Sequence, residues 1–270
     1  MKIAPISNYT FAQKNSSAKI SNTSNQLSKT TFTGMKNPIA GAEALSSIVL
    51  GGLDANRKVA LMNEAALHNA HVKILFNAVS EKGLETVKRF FNASKFDIKP
   101  ASLSKEEVAR RNLLKQSFLN SQNDRGRTPL FVAAIDGKND IVKYLAEQGT
   151  DINILSDSAT TAFEASAYSG HIDVMQTLLD FGANIDGTTK KAGNALYWAQ
   201  VFKTDKEALP VVEFLVKKGA NVNALSFEKF SPLDEAIRTG NPQTAEFLKA
   251  HGAKTFEEIQ ALTYKEKFMY

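Results

Sequence analysis

Large apolar residues and glycines recur along the second half of this chain with nearly the same spacing. The large apolar residues advance by 33, 33 and 37 positions; they are Leu130, Phe163, Leu196 and Leu233. The glycines advance by 33, 37 and 33 positions; they are Gly149, Gly182, Gly219 and Gly252. Both series require the same four-residue insertion, which falls within residues 200–210. Two series in one register indicate a structural repeat of about 33 residues.

Each repeat is predicted to contain two short helices. Thr128 is suited to cap the first helix, and Pro129 is suited to its first position, where a missing N–H costs nothing. Gly137 can adopt the left-handed conformation that ends this helix. Asn139 is suited to cap the second helix, which Gly149 ends in the same way.

Two further register positions predict how successive repeats pack. One position carries only small residues, as expected where neighbouring first helices pass closely; these residues are Ala133, Ser166, Ala199 and Ala236. Another position on the second helix is predicted to fill the interior; its leucines are Leu145, Leu178, Leu215 and Leu248.

The opening Thr128-Pro129-Leu130, followed by two short helices in about 33 residues, resembles an ankyrin repeat. The resemblance covers residues 74–254 and implies an all-α solenoid of helix–turn–helix units joined by hairpin loops. Four clear repeats follow Asn123. A degenerate repeat precedes them over residues 74–99, where the opening Thr-Pro is missing and Gly83 follows its Leu75 by one residue more than Gly137 follows Leu130.

The flanking segments predict caps for the two ends of the repeat array. Residues 41–73 are assigned to an N-terminal capping region with a helix over residues 57–69. A capping box of Ser104 and Glu107 opens an inserted helix over residues 105–119. Residues 255–270 are assigned to a C-terminal capping helix, whose Phe256, Ile259 and Leu262 are expected to seal the last repeat.

Charge is unevenly distributed along the chain. The formal net charge is +5, yet residues 1–40 contain five lysines and no acidic residue. The remaining 230 residues therefore hold 28 basic and 28 acidic side chains. A neutral repeat region has no general attraction for a phosphate backbone, so we expect no nucleic-acid partner.

Residues 1–40 are predicted to be a disordered basic leader because they include 16 Ser, Thr or Asn residues and show no apolar periodicity. Two interpretations stay open for this leader. It is either a solvated tail or an address similar to the leaders of bacterial secreted effectors. The predicted location is accordingly cytoplasmic, or secreted if the second interpretation holds, and no membrane-spanning segment is predicted.

Residues that carry chemistry are sparse. The chain has no cysteine, which excludes disulfides and thiol catalysis, and it lacks phosphate-loop, kinase and hydrolase motifs. Glu64, His68 and His71 share one helix face, which is acceptable spacing for a metal, but the zinc-hydrolase motif is absent. His171 and His251 are expected to pack at helix ends. We therefore predict no catalytic, cofactor or metal site.

The remaining functional expectation is a protein-binding surface. In ankyrin-repeat proteins the partner usually lies in the concave groove made by hairpin tips and first helices, and the resemblance implies a monomeric, non-catalytic binding module. The register carries this groove onto one set of positions: Asp124, Arg125, Arg127, Ile135, Asp136, Asp157, Thr160, Tyr168, Ser169, Lys190, Lys191, Gly193, Val201, Phe227, Glu228, Phe230 and Arg238. The partner-binding residues predicted from this set are Arg125, Arg127, Ile135, Asp136, Tyr168, Lys190, Lys191, Phe227, Phe230 and Arg238. A second interpretation stays open for Phe227 and Phe230, which would then fold back on the C-terminal cap.

Overall fold

A computed structural model describes the backbone of residues 55–93, 104–187, 194–201, 203–226 and 228–268. Within these ranges it describes the side chains from residue 65 to 92 and from 104 to 264. The predicted leader over residues 1–40, Lys190, Lys191 and Phe227 lie outside the described residues. The chain divides into two compact units, Met1–Pro129 and Leu130–Tyr270.

Among its described residues, the first unit contains three helices and one π-helical turn. They are α1 (Ala55–Asn77), the π turn (Ala78–Lys82), α2 (Leu84–Ala93) and α3 (Lys105–Leu119). Helix α1 runs through residues 73 and 74 without interruption, so no helix boundary separates the predicted N-terminal cap from the degenerate repeat. The π turn accommodates the extra residue before Gly83, because a π-helix holds one residue more per hydrogen-bonded turn than an α-helix.

The inserted helix α3 begins where the sequence predicts it. The Ser104 hydroxyl accepts a hydrogen bond from the backbone N–H of Glu107 at 3.2 Å. At the other end of the helix, Phe118 and Leu119 are buried, whereas Leu113 is largely exposed.

The second unit repeats one pattern of two helices. Its helices are α4 (Pro129–Ile135), α5 (Asn139–Glu147), α6 (Ala162–Ser169), α7 (Ile172–Asp180), α8 (Ala195–Trp198), α9 (Asp205–Lys217), α10 (Pro232–Arg238), α11 (Pro242–Ala250) and α12 (Phe256–Phe268). The first helices α6, α8 and α10 pack side by side in that order, and the second helix α5 packs on α7 as α9 does on α11. No described helix, in either unit, is long and apolar enough to cross a membrane.

The predicted core positions are buried. The four small residues of the first helices are at most 1% exposed, and the four leucines of the second helices are fully buried. The repeat-ending glycines all have positive φ, from 82° at Gly252 to 91° at Gly219. Since side chains other than glycine rarely adopt this conformation, these glycines fix where each second helix ends.

The prediction that Asn139 caps α5 is wrong. Lys138 is the N-cap residue and makes no side-chain capping bond, and Asn139 is already helical. The Oδ1 atom of Asn139 is buried and accepts no hydrogen bond from the described part of the chain. The same pattern holds at α7, where His171 is the N-cap without a side-chain bond. At α5 the Lys138 carbonyl already accepts from the backbone N–H groups of Ile141 and Val142 at 3.0 and 2.9 Å, so the N-cap lies one residue before Asn139.

The four-residue insertion lengthens α9 to 13 residues, against nine residues in α5, α7 and α11. The carboxylate of Asp205, the first residue of α9, accepts hydrogen bonds from the backbone N–H groups of Gln243 and Thr244 at 3.1 and 2.9 Å. The hydroxyl of Thr244 donates to the same carboxylate at 2.8 Å. The insertion therefore supplies a cap for the N-terminus of α11 in the following repeat.

The C-terminal helix α12 begins with the predicted capping box, because Thr255 and Glu258 each accept a hydrogen bond from the other's backbone N–H. Phe256 and Ile259 are partly buried, as expected for a cap. Leu262 is 42% exposed, so the expectation that it seals the last repeat is wrong. Leu262 is the seventh residue of α12 and lies at the end of its second turn, three residues after Ile259.

Hydrogen bonds between hairpin loops join successive repeats. The side chain of Asn153 donates from Nδ2 to the Gly182 carbonyl at 3.3 Å and accepts at Oδ1 from the Asn184 N–H at 3.2 Å. The side chain of Asn223, in the same register, makes the equivalent pair with Gly252 and Lys254.

Asp186 occupies this position between those two asparagines and makes one of the two bonds. Its Oδ1 accepts from the backbone N–H of Asn221 at 2.8 Å. A carboxylate has no N–H to donate to the carbonyl of Gly219, which corresponds in register to Gly182 and Gly252. The contact between these two repeats therefore has one of the two hydrogen bonds that an asparagine makes at the other two contacts.

We predict that Asp186→Asn stabilises the protein by about 0.5–1.5 kcal/mol, the net contribution of one added hydrogen bond. The measurement is the free energy of unfolding from urea denaturation. Asn223→Asp is the matched control and should lower stability, because it removes the donor at the next contact between repeats. Equal free energies of unfolding for wild type and Asp186→Asn would contradict the inference that a hydrogen bond to the Gly219 carbonyl is missing at Asp186.

Candidate protein-binding surface

The structure places the predicted binding residues in different environments. In the first unit Arg125 is exposed and Arg127 is partly buried. They belong to a hairpin in which Asn123 accepts, at its side-chain oxygen, from the backbone N–H groups of both arginines. In the second unit Ile135 is partly buried, and exposed Asp136 forms an ion pair with Lys138 at 3.1 Å.

Tyr168, Phe230 and Arg238 of the second unit are all accessible to some degree. Tyr168 is 37% exposed, the Arg238 side chain is 49% exposed, and Phe230 is partly buried. Val201 is 5% exposed, so the prediction that it faces a partner is wrong. The reason is local: α8 ends at Trp198, and the chain then turns, which rotates Val201 into the interior.

The short helix α8 instead presents two aromatic residues, Tyr197 and Trp198, which the sequence analysis did not select. The Trp198 ring meets the Tyr197 ring at 5.3 Å and the Tyr168 ring at 6.2 Å, both edge to face. The ammonium group of Lys203 lies 5.7 Å from the centre of the Tyr168 ring, within the range of a cation–π contact. Aromatic residues at the first-helix positions of adjacent repeats were the signal that could have identified them.

Arg238 lies on α10, the first helix of the next repeat, which packs against α8. Its Nε and Nη2 donate to the two carboxylate oxygens of Glu235 at 2.9 and 2.6 Å. Burial raises the pKa of the Tyr197 phenol, Glu235 and Glu228 raise this pKa further, and Arg238 lowers it. We call Tyr168, Tyr197, Trp198, Lys203 and Arg238 the aromatic strip.

The histidines have structural contacts. His68 stacks on Phe118 with ring centres 4.6 Å apart, and burial lowers its pKa, with His71 lowering it further. The Nδ1 atom of His71 lies 2.8 Å from the Leu67 carbonyl, and its ring meets Phe90 edge to face. Within the described residues no three metal-binding side chains cluster; the side chain of Glu64 lies outside them.

The other two histidines lie at helix ends, as expected. A Cβ atom on Gly137 would come within 2.6 Å of the His171 ring, so this ring packs directly on the backbone of the preceding repeat. The ring of His251 lies 4.2 Å from that of Phe247, and its Nδ1 is 2.8 Å from the Phe247 carbonyl.

Comparison with known proteins agrees with this architecture. The family described as ankyrin repeats (3 copies) matches residues 40–189 and 163–258. The chain belongs to the ankyrin-repeat family. Its fold is an all-α ankyrin-repeat solenoid, as the sequence predicts, and such repeats are protein-interaction modules.

Individual relatives match this chain over part of its length. The chain is 30% identical to the inactive serine/threonine-protein kinase TEX14 of Bos taurus over 128 residues, 47% of this chain and 8% of that protein. It is 32% identical over 152 residues to an ankyrin repeat and KH domain-containing protein of Caenorhabditis briggsae, 56% of this chain and 6% of that protein. It is 30% identical over 110 residues to ankyrin repeat domain-containing protein 63 of Mus musculus, which is 38% of this chain and 27% of that protein. The ankyrin-repeat match therefore spans a minor part of these relatives.

The helix that carries Tyr168 also carries a buried carboxyl group. Glu164 is 3% exposed and forms a capping box with Thr161, whose backbone N–H donates to Glu164 Oε2 at 2.7 Å. Burial raises the pKa of Glu164 to about 7, although both hydrogen bonds from Thr161 lower it. Its other oxygen lies so close to Gly187 that a Cβ there would approach it to 2.6 Å.

We predict that Glu164→Gln stabilises the protein at alkaline pH but not near pH 5. The native state holds the Glu164 proton up to about pH 7 and the unfolded state only to about 4.5, so wild-type stability falls as pH rises between these values. The free energy of unfolding of Glu164→Gln, relative to that of wild type, should rise by up to about 3 kcal/mol as the pH increases through this window. Urea unfolding at several pH values measures it.

Glu207→Gln is the matched control because Glu207 forms the same capping box with Thr204 at an exposed site. Hydrogen bonds from the Thr204 backbone and hydroxyl lower the pKa of Glu207, and Lys203 and Lys206 lower it further. This substitution should therefore destabilise at neutral pH and approach wild type as pH falls. The same pH trend in both variants would contradict the assignment of the effect to Glu164 burial.

Proposed function

We propose that this chain is a non-catalytic protein-binding module whose partner lies along the first helices and hairpin tips. The observation that carries the proposal is the aromatic strip, in which the Trp198 ring on α8 contacts the Tyr168 ring on α6 and the Tyr197 ring beside it, while Arg238 lies on the neighbouring helix α10. These are the residue types that dominate binding energy in protein interfaces. Because packed repeats hold the strip, little ordering is needed when a partner binds.

Two observations support a protein partner over other classes. The 230 residues after the leader carry equal numbers of acidic and basic side chains, which gives no general attraction for nucleic acid. The sequence lacks the motifs of common catalytic sites, and ankyrin repeats generally act by binding. Arg125 and Arg127, on a hairpin of the first unit, are proposed as a separate partner contact, argued from the sequence register alone.

Affinity capture with the full chain as bait tests the proposal. The test variant combines Arg125→Ala, Arg127→Ala, Tyr168→Ala, Phe230→Ala and Arg238→Ala. We predict that a protein held by the unaltered chain is lost by this variant, because the substitutions remove the accessible large side chains at the predicted groove positions.

A variant of equal substitution number controls for general surface effects. It carries Lys143→Ala, Glu147→Ala, Asp180→Ala, Glu213→Ala and Glu246→Ala, which are exposed positions on the second helices. This variant should retain the captured protein. Retention by both variants, with folding confirmed by circular dichroism, would contradict binding through the first helices.

A secreted, host-directed effector is the alternative function. It is supported by the composition of residues 1–40, which carry five lysines, no acidic residue and no arginine. In this case the repeats would select the target and the leader would direct export. Fusing residues 1–40 to a reporter enzyme in a secreting bacterium tests it. Failure to export the reporter would contradict the effector function and leave the binding proposal unchanged.

A further inference from the structure

Arg238 is held in a fixed orientation with hydrogen-bonding capacity to spare. Glu235, which is fully buried, takes the edge of the guanidinium formed by Nε and Nη2. A guanidinium has five N–H donors, so this pairing leaves three, including the two parallel ones at the edge of Nη1 and Nη2. The side chain is 49% exposed, so an incoming acceptor can reach that edge.

The charge around Arg238 disfavours an acidic occupant. Glu235 already balances the guanidinium, and both Glu235 and exposed Glu228 lie near enough to raise the pKa of Tyr197. A third carboxylate would join two existing ones around a single cation. A neutral acceptor, such as a main-chain carbonyl, makes the same hydrogen bond without that repulsion.

The other end of the strip is similarly balanced. Lys203, which lies over the Tyr168 ring, lines one surface hollow together with Glu207 and Ser169. Glu207 is exposed and lies close enough to Lys203 for the lysine to lower its pKa, after the larger effect of Thr204. Each cation of the strip therefore has an acidic neighbour of its own.

Apolar surface is available at both ends of the strip. Ile237, which precedes Arg238 on α10, is 55% exposed, and Tyr168 is 37% exposed. Tyr197 and Trp198 are partly buried on α8, the helix that packs against both α6 and α10. Aromatic and aliphatic surfaces next to fixed hydrogen-bond donors suit a peptide whose side chains are apolar and whose main chain supplies the acceptors.

We propose that the aromatic strip binds an uncharged, apolar segment of a protein partner. One apolar side chain of the segment packs against Tyr168 and Trp198, another against Ile237, and a main-chain carbonyl accepts from the free edge of Arg238. This inference rests on the proposed function and adds the chemistry of the recognised segment. Binding of this kind depends weakly on salt, because it neutralises no net charge.

The test is selection of a phage-displayed random peptide library on the purified full chain. Enriched peptides are then synthesised, and their Kd is measured by fluorescence anisotropy. We expect the enriched peptides to be rich in aromatic and aliphatic residues with few charges. Their Kd should change less than about twofold between about 0.05 and about 0.5 M NaCl, since screening acts on net charges.

Two single variants locate the binding. Arg238→Lys retains the positive charge but loses the planar fork, and Ile237→Ser removes an exposed side chain with little effect on folding. Each should weaken binding by about fivefold to tenfold, equivalent to about 1 kcal/mol. Phe181→Ser is the control because Phe181 is 39% exposed at the end of α7 and outside the strip; it should bind as wild type. Thermal midpoints confirm folding.

Three outcomes would overturn the inference. The first is enrichment of acidic or basic peptides whose Kd changes more than about tenfold with salt. The second is that Arg238→Lys and Ile237→Ser bind the enriched peptides as tightly as the unaltered chain does. The third is that the selection enriches no peptide. Any of these outcomes would leave the proposed function unchanged if the five-substitution variant tested under Proposed function still fails to capture a partner that the unaltered chain holds. Loss of the inference is thereby distinguished from loss of the proposed function.

Discussion

The close approach of neighbouring first helices is the constraint on which the second unit depends. Ala133, Ser166, Ala199 and Ala236 are at most 1% exposed, and a larger side chain there would force α6, α8 and α10 apart. Because this contact sets the register of each repeat, it also decides which side chains face outward. The packing that buries the core leucines therefore also leaves the side chains of the aromatic strip at the surface.

Regular spacing made much of this architecture predictable from the sequence. The glycines with positive φ, the buried leucines and the small residues all follow from one 33-residue period. Prediction was wrong where the period is interrupted. Val201 was assigned outward because its register matches that of Tyr168, but α8 ends at Trp198 and Val201, in the turn that follows, is buried. The positions of Tyr197 and Trp198 depend on that local ending, which spacing alone does not define.

Local capping was less predictable than packing. Thr161, Asn194 and Ser231 cap first helices through their side chains, as their residue types favour. Asn139 has an equally suitable side chain and does not cap, because the helix begins one residue earlier, with Lys138 as its N-cap. The contribution of Asp205 across repeats to α11 was also beyond sequence reasoning, since it joins residues 38 and 39 positions apart.

Hydroxyl-radical footprinting of the chain with and without its captured partner tests the central claim most directly. Tyr168, Tyr197 and Trp198 are the reporters, and Phe181 and Tyr264, exposed elsewhere in the second unit, are internal references. The account predicts that the partner protects the three strip residues and leaves both references unchanged. Protection of the references with undiminished labelling of the strip would contradict recognition through the first helices.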